Sequence, residues 1–249
     1  SEPFSIHVPS RHRTITATSK IRVTPPPPPD LHNSPPWEEL VAQLKTDRDE
    51  AYLGAYQFTT SSPSVPLRGE ATSIRPTQSI DAQAEDVAAT TARIRSYAGE
   101  SFTSKRPVLE AAAELNARIH TDFTFDNKAT TLNTPLGEAF AKRRGVCQDF
   151  AHVYIACLRS LGLAARYVSG YLRTYPPPGQ QRLIGVDASH AWASVFSGPQ
   201  GWVDFDPTND VIPATDHIVL AWGRDYNDIC PIRGVFVGGG RHTMTTSVD

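Results

Sequence analysis

Cys147 is the residue whose type and setting most favour chemistry. Gly145 and Val146 lead it into apolar residues at helical spacing, which predict a helix over Gln148–Leu161 with the cysteine at or just before its start. The free backbone N–H groups and the dipole of such a helix stabilise a thiolate, and they can also bind the oxyanion of a tetrahedral intermediate. Cys147 is therefore a candidate nucleophile, although a lone cysteine is more often an unreactive buried thiol.

Two neighbouring strands offer a base and a carboxylate. His190 lies in a predicted strand over Ala188–Phe196, and a short turn leads to a second predicted strand over Gly201–Asp206. The two strands are expected to pair as an antiparallel hairpin. Asp204 and Asp206 alternate onto one face of the second strand, where either carboxylate is placed to accept the imidazole N–H.

These residues allow three interpretations. With one of the two aspartates, Cys147 and His190 would form a triad of nucleophile, base and orienting acid. The spacing alone also fits a half-buried structural histidine and an Asp206 that only caps the turn at Pro207. The third possibility is a metal site, but Cys147 lacks the nearby second ligand that structural zinc sites have.

Composition and cysteine usage exclude several classes of protein. The 249 residues carry a net charge of −2, so no basic surplus indicates nucleic acid or an anionic membrane as partner. No apolar run approaches the roughly 18 residues that span a bilayer. The three cysteines argue against a disulfide framework and suit a reducing compartment, so we expect a cytoplasmic location. Of these, Cys157 lies mid-helix on the apolar side and is predicted to be inert core.

The chain divides into a short β start and a larger core. Apolar residues alternate over 1–24, and a five-proline run at Pro25–Pro29 reads as a stiff connector. We therefore expect 1–30 to be the remnant of a β-rich domain and its linker, and 31–249 to be the core domain. Two strands alone are marginally stable in water, which favours a chain that begins inside a larger β domain.

Within the core, helical spacing precedes strand alternation. Further helices are predicted at Trp37–Leu44, at Val87–Tyr97, after Pro107 and from Thr134-Pro135 to Arg143, with 58–85 running over the surface. Further strands are predicted at Ala165–Leu172, around Ile218–Trp222 and at Gly234–Val248. Helices followed by strands predict an α+β fold with an antiparallel sheet.

Four ordered blocks resemble the core of bacterial transglutaminase-like proteins. They are Gly-Val-Cys-Gln-Asp-Phe-Ala-His at 145–152, Ala-Arg-Tyr-Val-Ser-Gly-Tyr at 165–171, Asp-Ala-Ser-His-Ala-Trp at 187–192 and Gly-Trp-Val-Asp-Phe-Asp-Pro-Thr-Asn at 201–209. The likeness covers roughly residues 86–248. It implies a papain-like α+β fold in which the cysteine, at a helix start, faces the sheet.

The resemblance also implies roles. It assigns Cys147 as nucleophile, His190 as base and Asp206, rather than Asp204, as the third member. The implied reaction is attack on an amide of a protein or peptide, as in a cysteine protease, an amidase or a crosslinking enzyme. The alternative is a binding module that keeps the fold without catalysis, against which the intact set of three residues argues.

The surroundings of the three residues give weaker expectations. Substrate contacts are expected from Trp192, Trp202, Asp204 and Gln148, although large aromatic side chains near a site are as often plain core. No acidic loop has calcium-ligand spacing, so we expect neither a metal nor another cofactor.

Overall fold

The structure is a computed structural model that describes residues 22–24, 26–67, 80–173 and 189–230, with the side chains of 80–85 left aside. The strands predicted in 1–21 and at Gly234–Val248 lie outside these ranges, as does most of the predicted N-terminal domain. None of the helices in the described ranges is long and apolar enough to cross a membrane.

Six α-helices precede the main sheet in the described chain. They are α1 Trp37–Thr46, α2 Glu50–Tyr56, α3 Ile80–Gly99, α4 Val108–Asp122, α5 Leu136–Lys142 and α6 Cys147–Ser160. A proline occupies the N-cap position of three of them: Pro36 of α1, Pro107 of α4 and Pro135 of α5. Proline suits this place because its missing N–H would have no partner in the first helical turn.

The segment expected to run over the surface at 58–85 behaves differently. Phe58, Val65 and Leu67 are buried in the core, and α3 begins at Ile80, well before the predicted Val87. Over the described part, 58–67, the expectation was wrong because a few apolar side chains among many polar residues pack into the core, and an average composition does not show them. Residues 68–79 lie outside the described ranges.

The sheet is antiparallel, as predicted. Its order is β5-β4-β3-β6, from β3 Ala165–Leu172, β4 Ser189–Phe196, β5 Trp202–Phe205 and β6 His217–Gly223. A separate parallel pair joins β1 Thr124–Phe125 to β2 Arg144–Gly145, directly before α6. Helices on an antiparallel sheet make this an α+β fold.

Helix α6 is the centre of the core. It packs on β3 and β4 and against α3, α4 and α5, so nearly its whole circumference is buried. Phe150, Tyr154 and Leu158 are almost without exposed surface, and the Tyr154 hydroxyl donates a hydrogen bond to the Ala112 carbonyl at 2.9 Å. Burial of each large side chain stabilises the fold by about 1.5–3 kcal/mol, which holds the first residue of α6 in place.

The other end of α6 is fixed by a buried arginine. The Arg159 guanidinium donates to the carbonyls of Ala165 (2.7 Å) and Arg224 (2.7 Å) and to the Ser62 hydroxyl (3.1 Å). A buried cation is tolerated only when its donors are satisfied, and here the partners are the start of β3 and two distant parts of the chain, at Ser62 and Arg224. The helix therefore has little freedom to slide along the sheet.

Gly170 of β3 allows residues of both neighbouring strands, β4 and β6, to approach it closely. It lies opposite His190 on one side and Val219 of β6 on the other, next to an irregularity in the β3–β6 pairing. A Cβ atom at this position would lie 2.0 Å from the Ile218 carbonyl oxygen and 2.6 Å from the Trp192 ring. Only glycine permits both neighbours to approach so closely.

Replacement of Gly170 tests this packing. Gly170→Ala should lower the free energy of unfolding by about 1–3 kcal/mol or more, because β6 or Trp192 must move. The control is Gly54→Ala in α2, where a new Cβ meets no atom within 4 Å. This control should raise stability by up to about 1 kcal/mol. Urea denaturation measures both, and equal stability of Gly170→Ala and the natural protein would contradict the close approach.

Candidate active site

Cys147 is the first residue of α6, and a short network fixes the start of that helix. The Asp149 carboxylate accepts the Val146 N–H at 2.9 Å and the Thr130 hydroxyl at 2.6 Å. A Cβ at Gly145 would lie 2.3 Å from the same carboxylate, so glycine is required for the turn into the helix. The thiol is half-buried and keeps contact with the surface.

His190 lies near the beginning of β4 and connects Cys147 to Asp206. Its Nε2 lies 2.7 Å from Oδ2 of Asp206, and its ring is close enough to Cys147 for the thiol to contribute to the shift of its pKa. Because Asp206 is ionised, Nε2 must carry the proton and donate it to the carboxylate. The other ring nitrogen, Nδ1, is therefore the one that faces the sulfur.

Asp206 follows directly after β5 and has no exposed surface. Its Oδ2 accepts hydrogen bonds from His190 (2.7 Å), His217 (2.9 Å) and the Asn209 side chain (2.7 Å). Its Oδ1 accepts the backbone N–H groups of Thr208 (3.0 Å) and Asn209 (3.3 Å). Burial alone would raise the pKa of this carboxyl, but the donors from His190 and His217 outweigh it and hold the pKa well below its usual range.

The same interactions act on His190 in the opposite sense. Burial alone lowers the pKa of the imidazole, but the hydrogen bonds with Asp206 and Cys147 and the charge of the carboxylate raise it to about 9. At neutral pH the ring is therefore predominantly the imidazolium ion. In that form the ring carries a proton on Nδ1 as well as on Nε2.

The structure brings Cys147, His190 and Asp206 together and places Asp204 elsewhere. The Asp204 carboxylate accepts the indole N–H of Trp192 at 3.0 Å. Both aspartates were candidates because strand alternation puts them on one side of the chain. They differ because Asp206 lies past the end of β5, where the chain turns towards His190. The catalytic roles of the three residues stay a prediction.

The predicted substrate contacts fall into different environments. Trp192 has no exposed surface, so in this conformation it packs beneath the site and cannot touch a substrate. Trp202 is half-buried and stacks on the Arg166 guanidinium at 4.3 Å. Gln148 follows Cys147 and is half-buried, which leaves a contact to substrate as a prediction.

Two residues of the site were not predicted from the sequence. Asn209 lies in the turn after Asp206, and His217 opens β6, on the far side of β3 from His190. The Asp-Pro-Thr-Asn turn gave a signal for Asn209, since an Asp before such a turn commonly accepts the following N–H groups. Nothing local marked His217, because its contact depends on how the sheet is ordered.

The metal interpretation can be compared with this geometry. Among the described residues, His190, Asp206 and His217 bring one ligand atom each to within 4.8 Å of one another, and Cys147 is not part of that group. Both Nε2 atoms already donate to the carboxylate of Asp206, so an ion would have to displace both protons. The donor set therefore fits a hydrogen-bonded carboxylate better than the third interpretation, a metal site that includes Cys147.

Cys157 has the surroundings expected of a packing residue. It lies in the middle of α6 with no exposed surface, and burial raises the pKa of its thiol to about 12. Cys230 is half-buried near the end of the described chain. Neither shares the imidazole that contacts Cys147.

Comparison with known proteins identifies the family. The profile of the transglutaminase-like superfamily matches residues 95–207, a range that contains Cys147, His190 and Asp206. The protein belongs to the transglutaminase-like superfamily. An uncharacterized protein of Mycobacterium tuberculosis is 41% identical to this transglutaminase-like chain over 255 residues, which cover 98% of the chain and 72% of the relative.

Two further relatives of this transglutaminase-like protein have a described activity or a solved structure. A protein-glutamine gamma-glutamyltransferase of Pseudomonas aeruginosa is 32% identical over 111 residues, which cover 43% of this chain and 17% of that one. The crystal structure of a proposed cysteine protease from Cytophaga hutchinsonii superposes with a TM-score of 0.54 at 22% identity. That match covers 75% of this chain and about half, 51%, of the Cytophaga chain, and it shows the shared fold.

Cys147 and Cys157 should differ in their reactivity towards an alkylating reagent. Iodoacetamide should alkylate Cys147 of this transglutaminase-like protein well before Cys157, because the first thiol is accessible and faces an imidazolium. His190→Ala should slow the labelling of Cys147 and leave Cys157 unreactive. Peptide mass spectrometry over a time course measures each site. Labelling of Cys147 at the rate of an ordinary exposed thiol, unchanged in His190→Ala, would contradict the activation.

Proposed function

We propose that the protein is a thiol-dependent acyl-transfer enzyme that acts on amide bonds of proteins or peptides. Cys147 is the nucleophile, His190 the general acid and base, and Asp206 the residue that orients the imidazole. The observation that carries the proposal is the hydrogen bond from His190 to the fully buried carboxylate of Asp206, on a ring that also interacts with the half-buried thiol of Cys147. A structural histidine would not need a buried anion behind it.

The first step forms a thioester. The Cys147 sulfur attacks the amide carbonyl carbon, and the carbonyl oxygen becomes an oxyanion near the N-terminus of α6, whose free N–H groups can stabilise it. His190 then gives its Nδ1 proton to the departing amine, the C–N bond breaks and the carbonyl returns. The product of this step is an acyl group on Cys147 and a released amine or ammonia.

The second step removes the acyl group. His190, now neutral, takes a proton from an incoming water or primary amine at Nδ1, while that molecule attacks the thioester carbonyl. Water yields a carboxylic acid, and an amine yields a new amide. In both cases the sulfur leaves as thiolate, and the pair of thiolate and imidazolium is restored for the next cycle.

Asp206 serves both steps without changing its protonation. Its carboxylate fixes the tautomer that leaves Nδ1 towards the sulfur, and its charge stabilises the imidazolium. Because five donors already hold the carboxylate, it has no need to reorganise when His190 gains or loses a proton.

Two kinds of substrate have support from relatives. The matched Pseudomonas protein is named as a glutamyltransferase acting on protein glutamine, and the Cytophaga protein is a proposed cysteine protease. Attack of Cys147 on either kind of amide would form a thioester. Peptides with a glutamine side-chain amide and proteins with accessible backbone amides are therefore the first substrates to test.

The proposal is tested with a glutamine-containing peptide and a labelled primary amine. The natural protein should release ammonia, incorporate label, or cleave an added unstructured protein substrate. Cys147→Ala should abolish every such activity and keep the melting temperature, with Cys157→Ala as the matched control that keeps activity at some cost in stability. If the natural protein releases no more ammonia, incorporates no more label and cleaves no more substrate than Cys147→Ala, the binding module is the better interpretation.

The pH dependence tests the roles of His190 and Asp206. With His190 acting as the imidazolium, kcat/KM should fall on the alkaline side as pH rises through about 9. Asp206→Asn should lower kcat by roughly 10²–10⁴ and move the alkaline limb to lower pH, because the anion that raises the pKa of His190 is gone. Asp204→Asn is the control, since it also removes one negative charge, keeps an oxygen that can accept the Trp192 N–H, and should leave the limb in place.

The same pKa shifts predict how the free energy of unfolding depends on pH. The stability contributed by His190 is complete below its ordinary pKa of about 6.5 and is lost as pH rises through about 9. The stability contributed by Asp206 is complete above the ordinary carboxyl pKa of about 3.9 and is lost on acidification.

In the kinetic experiment, an alkaline limb of kcat/KM that stays at the same pH in Asp206→Asn would contradict the assigned roles.

A further inference from the structure

Asp206 binds a second imidazole, that of His217, which the proposed mechanism does not use. His217 Nε2 lies 2.9 Å from Oδ2 of Asp206, the same oxygen that accepts His190 at 2.7 Å. Both rings are largely buried, and the carboxylate has no exposed surface. Since Asp206 is ionised, the Nε2 atom of His217 must also carry a proton and donate it.

The His217 ring reaches Asp206 from a strand that is not adjacent to β4 or β5. In the sheet order β5-β4-β3-β6, His217 on β6 is separated from His190 on β4 by the whole of β3. A Cβ at Gly170 of β3 would lie only 2.6 Å from the ring of Trp192, the side chain against which His217 packs. The His217 ring then packs edge-on against Trp192, with centroids 5.1 Å apart and planes at 84°.

We propose that His217 is a positioning residue, which holds the carboxylate of Asp206 in line with His190 and takes part of its hydrogen-bonding capacity. The proposal rests on the proposed function, since it concerns the same site. With one donor fewer, Oδ2 of Asp206 would be held by two donors instead of three. The unshared charge would also act more strongly on His190.

Other charged groups near His217 are few and come from separate parts of the chain. A cavity of about 290 Å³ borders its ring, and Arg22 and Asp204 also line this cavity. On the other side lie Asp206, His190 and, beyond them, Cys147. Next to it in the chain, Asp216 forms an ion pair with Arg173 at 3.0 Å. Of these groups, only Asp206 is hydrogen-bonded to the ring in the described structure.

A role in packing alone would not require this geometry. An apolar side chain of similar size would fill the space beside Trp192 equally well, while a buried imidazole without a partner would cost stability. The ring instead donates to the one carboxylate that faces the proposed base. The expected signature is therefore a change at His190, and not only in the stability of the sheet.

A matched pair of variants separates the two roles. His217→Gln keeps an N–H donor near the position of Nε2, and His217→Met has the same length without a donor. His217→Met should lower kcat roughly tenfold to a hundredfold with little change in KM, as expected for one lost hydrogen bond to a buried charge. His217→Gln should stay within a few-fold of the natural protein.

Histidine-labelled NMR gives a readout that does not depend on activity. The titration midpoint of His190 should move to higher pH in His217→Met, because the Asp206 charge is less shared, and return in His217→Gln. In the natural protein, ¹⁵N shifts should show His217 as the tautomer or ion with a proton on Nε2. This last measurement needs no variant, so a failure of His217→Met to fold leaves the test intact.

Two results would overturn the proposal. One is a neutral His217 in the natural protein with its proton on Nδ1 alone. The other is an unchanged His190 midpoint in both variants with equal losses of melting temperature, which is the behaviour of a packing residue. If the natural protein catalyses no acyl transfer, the proposed function fails, while the NMR titration still decides whether His217 acts on His190 through Asp206.

Discussion

The arrangement depends on one buried charge. A carboxylate with no exposed surface is stable only if its desolvation is offset, and Asp206 achieves this with five donors drawn from β4, β6 and its own turn. Two of these donors are imidazoles, so the charge that the fold must satisfy is also the charge that keeps His190 protonated. Removal of one donor therefore affects stability and chemistry together.

The geometry of the thiol follows from a second constraint, which is the immobility of α6. The helix is buried along its length, and the donors of Arg159 fix its far end. Its first turn is fixed by Asp149 through Val146 and Thr130. The sulfur is thus presented by a helix that is buried and held at both ends, while the imidazole is presented by a strand that packs on that helix. Such preorganisation is what an acyl-transfer site requires.

Much of this could be predicted from local patterns, and the exceptions are informative. Helical spacing and alternation gave α6, the β4–β5 hairpin and the antiparallel sheet, since each depends on residues close in sequence. Alternation could not separate Asp204 from Asp206, because the difference arises where β5 ends. The short helix α2 was missed because Glu50–Tyr56 has no clear apolar period, and its Asp49 cap was not recognised. His217 was missed because its contact crosses a whole strand.

The strand order also determines when the site can exist. A chain is synthesised from its amino end, so the sulfur of α6 is made first, the hairpin that carries His190 and Asp206 follows, and β6 is the last of the described strands to be made although it borders β3. Until β6 has docked, Asp206 lacks the hydrogen bond from His217, and β3 lacks its neighbour on that side. The proposed activity would therefore be complete only in a molecule in which β6 has docked on β3.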